Sequence, residues 1–281
     1  EITRKEEPKL FELLDRLVLQ IGTELPKRVY LSSDVNASVF YDSNILSLFF
    51  PVKKNLQIGL GLINSVTSIE LEAILAHEFG HFSQRSMKVG SYVYQVNQVI
   101  NNLLFENESY DRLIRNWANI TGYFFIFVQL AVKIIQGIQW ILKKMYDLVN
   151  RSYMGLSRQM EFHADEVAAQ VTGFTPLKDS LLRFSLAEHA LNEVITFYTE
   201  RISKNQKSGN IFQDQLSAMS ILAKESQLSF RNGLPEVTLQ SFNRFNPTKL
   251  IIKDQWASHP SLEERIAHLE KTGITNHKQD H

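Results

Sequence analysis

The sequence has no cysteine in its 281 residues. Disulfides are therefore excluded, and any bound metal must be held by His, Asp or Glu. This absence suits a reducing compartment. Net charge is missing too, with 30 Lys+Arg against 30 Asp+Glu, so nothing points to nucleic acid or another strongly charged partner. There is no internal repeat and no low-complexity tract. The start, Glu1-Ile2-Thr3-Arg4, carries neither an initiator Met nor a signal-peptide pattern. It reads as the beginning of a fragment, with an upstream segment, a membrane anchor, expected before it.

What is present is the composition of a globular protein, 44% hydrophobic and 21% charged, long enough to bury a sizeable core. The expected fold class is α+β and mostly α-helical, as a single domain over 1–281. Leu10, Leu13, Leu14, Leu17, Val18 and Ile21 recur at helical spacing and Gly22 ends them, which predicts a helix over 8–22. Short apolar runs broken by Asp, Asn, Ser and Pro predict a small sheet over 28–63. After Asn64 the chain turns helical. Loops are expected at 204–210 and 232–235.

One stretch is unusual. Residues 120–142 are mostly apolar and long enough to cross a bilayer, within a long apolar helical insertion over 90–150. Gln129, Lys133, Gln136 and Gln139 form one polar stripe along it. The segment reads either as a large core helix or as a membrane-associated one. The aromatic cluster Tyr123, Phe124, Phe125 and Phe127, followed by Lys143-Lys144, favours the membrane.

The strongest local signal is His77-Glu78-Phe79-Gly80-His81. It lies on a helix expected over 67–85 that opens with a capping box, Thr67 and Glu70. Helical spacing sets His77 and His81 one turn apart on one face, where both can reach one metal ion. Glu78, offset by one, lies beside that ion and can take a proton from the water it activates. Such motifs also occur by chance on solvated faces. Here the helix is apolar and its neighbours Ala73, Ala76 and Gly80 are small, so buried imidazoles without a task would be costly.

A catalytic zinc takes three protein ligands and keeps one open position. The candidate for the third is Glu161, on a helix expected over 157–172. Asp165, four residues on, shares its face and can accept a hydrogen bond from a ligand histidine. Alone, the pair would read as a solvated face. Ala164, Ala168 and Ala169 keep the helix slim. His163, two residues from Glu161, points elsewhere and reads as a surface histidine.

Taken together these residues resemble the HtpX-like and CAAX prenyl protease type 1 group of integral-membrane zinc peptidases, of gluzincin type. Ser258-His259-Pro260 with Arg265-Ile266 is similar to that group's late His-Pro motif, in a helix expected over 258–272 with Pro260 in its first turn and His259 at its cap. Asn36-Ala37 and Ile58-Gly59-Leu60 are similar to its Asn-Ala strand and Gly-Leu entry. The likeness runs from about residue 28 to about residue 270, and 174–257 carry no assignable motif. It implies a zincin-like fold with the sheet before the motif helix. It also implies one Zn²⁺ per chain on His77, His81 and Glu161, with Glu78 as general base and His259 stabilising the oxyanion. Arg265 is expected to tie its helix to a core carboxylate. An extended protein or peptide substrate would pair with an edge strand at Asn36-Ala37. Membrane association through 120–142, with the cytoplasmic face favoured, completes the expectation. The competing reading is a non-catalytic polypeptide-binding or membrane scaffold protein with a degenerate or structural metal site.

Overall fold

Two periodicities build the described residues: helical spacing over 8–21 and after Leu60, and a short two-residue alternation between them. The computed structural model describes residues 1–41, 54–83, 125–245 and 260–274. The chain forms two units. The first comprises Glu1–Gln84, Gln159–Gln255 and Pro260–His281, and the second Arg85–Arg158 with Trp256–His259.

In the first unit, helix α1 spans Pro8–Ile21 and closes on Gly22 at φ 73°, a left-handed residue where a side chain would be strained. Strands β1 (Val29–Ser32), β2 (Ala37–Tyr41) and β3 (Lys54–Gly59) form a sheet in the order β1-β3-β2. β3 is parallel to β1 and antiparallel to β2. The central strand turns Leu56 and Ile58 to one face, both fully buried. They pack there with Leu14 and Leu17 of α1 and with Ala73, Ala76 and Phe79.

The sequence reading carried the sheet through 63, but the strand stops at Gly59 and helix α2 takes Leu60–Ser65. A side chain at Gly59 would meet the Asp34 carbonyl at 2.0 Å, so the chain turns where the β1–β2 connection crosses it. The apolar run at 46–50 lies outside the described residues.

Helix α3 covers Ser68–Ser83. Its capping box is made as expected, with the Thr67 N–H donating to Glu70 at 2.7 Å and the Glu70 N–H to Thr67 Oγ1 at 3.4 Å. The same Glu70 carboxylate accepts the buried Arg183 guanidinium at 2.5 Å.

Helix α4 is continuous from Phe125 to Thr172, which corrects the separation of an insertion ending at 150 from a ligand helix starting at 157. Residues 90–124 lie outside the described residues. Among the described residues no helix is long and apolar enough to cross a membrane. The long apolar insertion expected over 90–150 is thus not found there. Gln129, Lys133, Gln136, Gln139 and the pair Lys143-Lys144 dilute the apolar stretch.

Helix α5 (Phe174–Thr199) and helix α6 (Ile211–Glu225) close a second cluster that holds Leu62, Leu186, Ala190 and Met219. A two-stranded ribbon, β4 (Phe230–Arg231) with β5 (Leu234–Pro235), precedes α7 (Leu239–Phe245). Helix α8 (Leu262–Thr272) starts from a capping box of Ser261 and Glu264. This corrects the assignment of the cap to His259: the Ser261 hydroxyl accepts the Glu264 N–H, and the Glu264 carboxylate takes the Ser261 N–H.

The approach of α3 to α4 is set by one glycine. A Cβ on Gly80 would stand 2.9 Å from Ala164 Cα, backbone that cannot yield. Gly80→Ala is expected to destabilise the protein by about 1–3 kcal/mol in urea unfolding, despite alanine's better helix propensity. An unchanged or raised midpoint would show that the two helices can part without cost.

Candidate metal centre

Four side chains from two helices converge in the first unit. His77 and His81 come from successive turns of α3, their rings 4.8 Å apart and nearly perpendicular. Glu161 comes from α4. Its Oε2 lies 3.6 Å from His77 Nε2, and its Oε1 lies 3.4 Å from His81 Nε2. These separations are long for direct hydrogen bonds. They match the donor-to-donor spacing of about 3.3 Å that follows from ligands roughly 2.0–2.1 Å from a tetrahedral ion. One donor atom from each of the three lies within 4.8 Å of the others. Two imidazoles and a carboxylate, without thiolate, are a donor set that zinc accepts. The residues fit a metal ion.

Behind them, Asp165 Oδ1 sits 2.9 Å from His77 Nδ1. The two atoms are at hydrogen-bond distance. Asp165 is fully buried and is gripped from the other side by Arg265 of α8. Nε donates to Oδ2 at 2.8 Å and the guanidinium end to Oδ1 at 2.5 Å. Arg265 also reaches Glu161 at 4.0 Å. Burial alone would raise the Asp165 pKa, but the bonds from Arg265 and contact with His77 outweigh it and hold the carboxyl below its ordinary range.

Next to the pair, His268 stacks on Phe162 at 4.3 Å and pairs with Glu166 at 2.7 Å. Sequence reasoning missed this second clasp of α8 on α4, because His268 follows no motif. His163 is exposed while Glu161 and Asp165 are buried.

Glu78 points between α3 and the sheet. Its Oε2 accepts the N–H of Val39 in β2 at 3.2 Å. Protein surrounds the carboxyl, while the residue as a whole is partly accessible. Burial pushes its pKa up, against the pull of His77, His81 and the Val39 N–H. Val39 was not singled out in the sequence, since a backbone N–H leaves no residue signature. Asn36 and Ala37 lead into and begin β2, and the Asn36 carbonyl accepts the Gly59 N–H at 2.7 Å. His259 lies outside the described residues.

Comparison with known proteins agrees with this geometry. The profile of Peptidase family M48 matches residues 5–273. Protease HtpX of Vibrio vulnificus is 27% identical over 190 residues, which are 64% of this chain and 59% of that protein. A Protease HtpX homolog of Fusobacterium nucleatum is 25% identical over 233 residues, 75% of this chain and 67% of that protein. The chain thus spans about three fifths to two thirds of the length of these relatives. No solved structure matches the chain.

Asp165 contributes stability with a defined pH window. Its folded pKa is depressed, so the contribution is complete above the ordinary carboxylate range and is lost as pH falls through the lower folded value. In the metal-free protein, Asp165→Asn should cost about 3 kcal/mol at neutral pH, and less with increasing acidity. A cost that stays constant in urea unfolding from neutral to strongly acidic pH would break this account.

Proposed function

The chain belongs to peptidase family M48, and on that premise we propose that it is a zinc-dependent endopeptidase hydrolysing extended protein or peptide substrates, with the whole chain acting as one zincin-like metallopeptidase domain. The observation that carries this reading is the convergence of His77, His81 and Glu161 within 4.8 Å, with Glu78 beside them.

His77, His81 and Glu161 would hold the ion, one per chain. A zinc ion in that site would lower the pKa of a water in its open position and polarise the scissile carbonyl. Glu78 takes the proton of the attacking water and delivers it to the leaving amine. In the metal-free protein burial raises its pKa, the direction that favours holding the proton it hands on. Asp165 fixes the ring orientation of His77 from behind, and Arg265 fixes Asp165. His259 is proposed as the oxyanion donor on the strength of its motif alone. Substrate backbone would add to the edge of the sheet at the Asn36-Ala37 end of β2.

Membrane association through 120–142 is supported by the exposure of Leu130, Ile134, Ile138 and Trp140, each more than half accessible. Failure to co-sediment with vesicles of anionic lipid would remove it.

Glu78→Gln should retain zinc and fold while cutting turnover of an unfolded protein substrate by about 1000-fold or more. His77→Ala should lose zinc, measured by metal analysis after dialysis. Full cleavage by the first variant would remove Glu78 as the base; full occupancy in the second would remove His77 as a ligand. Zinc retained in the parent without any cleavage would favour the polypeptide-binding alternative.

A further inference from the structure

Among the described residues, the outer edge of β2 carries a side chain of this protein. In the β2–β3 ladder, Ala37 faces Ile58, Ser38 faces Gln57 and Val39 faces Leu56. Backbone groups in an antiparallel pair alternate between facing the partner strand and facing away. The Asn36 carbonyl is bonded to Gly59, so Asn36, Ser38 and Phe40 belong to the inward set. Ala37, Val39 and Tyr41 then turn their N–H and C=O groups outward. Leu56, opposite Val39, gives its N–H to the Arg28 carbonyl of the other neighbouring segment, as the alternation requires. Among the described residues β2 is an edge strand, and an edge is where an extended chain adds by backbone hydrogen bonds.

The outward N–H of Val39 is the group that Glu78 Oε2 takes at 3.2 Å. A carboxylate accepts an amide N–H more strongly than a peptide carbonyl does. The edge is thereby plugged at Val39, and the plug is the carboxylate assigned to proton transfer.

Resting on the peptidase reading above, we propose that Glu78 has a second role as a gate on the substrate edge. In the resting protein it occupies the Val39 N–H, and a docking polypeptide takes that N–H with a backbone carbonyl and so frees the carboxylate. Proton transfer is then coupled to the presence of an extended chain. A short ligand whose carbonyl does not reach Val39 leaves the base parked. The site reads the substrate's backbone twice, at the scissile bond and at Val39.

The test uses the 281-residue metal-free chain, so that no variant cleaves the probe, with parent, Glu78→Gln and Glu78→Ala compared. Two readouts are taken: hydrogen exchange of the Val39 amide by NMR, and equilibrium binding of a fluorescein-labelled Thr/Val-rich peptide by anisotropy. Exchange at Val39 should speed up by about tenfold or more in Glu78→Ala, and the peptide should bind that variant about tenfold more tightly. Glu78→Gln, whose neutral amide oxygen is a weaker acceptor, should fall between the two. Exchange at Val39 and peptide affinity that are the same in parent and Glu78→Ala would overturn the gate. Neither readout depends on turnover. A zinc-loaded parent that fails to cleave, with both shifts observed, would sink the peptidase reading and leave the gate standing. Cleavage without the shifts would do the reverse.

Discussion

Everything at the centre depends on how near α3 comes to α4. Imidazole and carboxylate side chains are short, and a metal ion tolerates donor positions only within a few tenths of an ångström. His77 and His81 therefore need Glu161 delivered by a backbone that comes almost into contact with their own. Gly80 against Ala164 supplies that proximity. The neighbouring Ala168 and Ala169, fully buried, extend the thin face of α4 under the sheet's core. The small residues of these helices are thus as much part of the centre as the donors, although none of them carries a functional group.

Close helices bring an electrostatic problem with them. Glu161, Asp165 and Glu78 crowd three carboxyl groups into one largely buried region, where unpaired charge is costly. Arg265 answers part of that cost, forked across Asp165 and within reach of Glu161. Its helix is held a second time, through His268 on Phe162 and Glu166. Glu78 draws on the Val39 N–H. The result is a graded set of carboxyls: one held firmly ionised behind the donors, and one whose proton is held more readily beside them.

How much of this was legible in the sequence follows the range of each interaction. His77 and His81 are one turn apart, so a local period reveals them. The Thr67–Glu70 capping box is legible by its three-residue spacing, whereas the four-residue spacing of Glu161 and Asp165 alone reads as a solvated face and gains meaning only beside the two histidines. The expectation that Arg265 binds a core carboxylate also holds. The pair between Glu70 and Arg183 joins positions 113 apart and leaves no local pattern. Neither does the Val39 N–H, because any residue but proline would supply it. The boundary placed between 150 and 157 fails for a different reason. Asn150, Ser152 and Gly155 are weak helix formers, and the sum of their neighbours' preferences carries α4 through them. Reading Pro260 as a first-turn residue puts the cap of α8 at His259, two residues early, whereas Ser261 and Glu264 complete the box.

The grip of Arg265 on Asp165 spans 100 residues of chain, and it has a consequence for the order in which the protein comes into being. A nascent chain leaving the ribosome displays His77, Glu78 and His81 long before α4 is made, and α4 long before α8. Until α8 emerges, Asp165 lacks the counter-charge of Arg265 and cannot settle into an apolar interior. The centre therefore cannot close before α8 is made, and a shorter chain that already carries His77, His81 and Glu161 does not yet have Asp165 settled behind them.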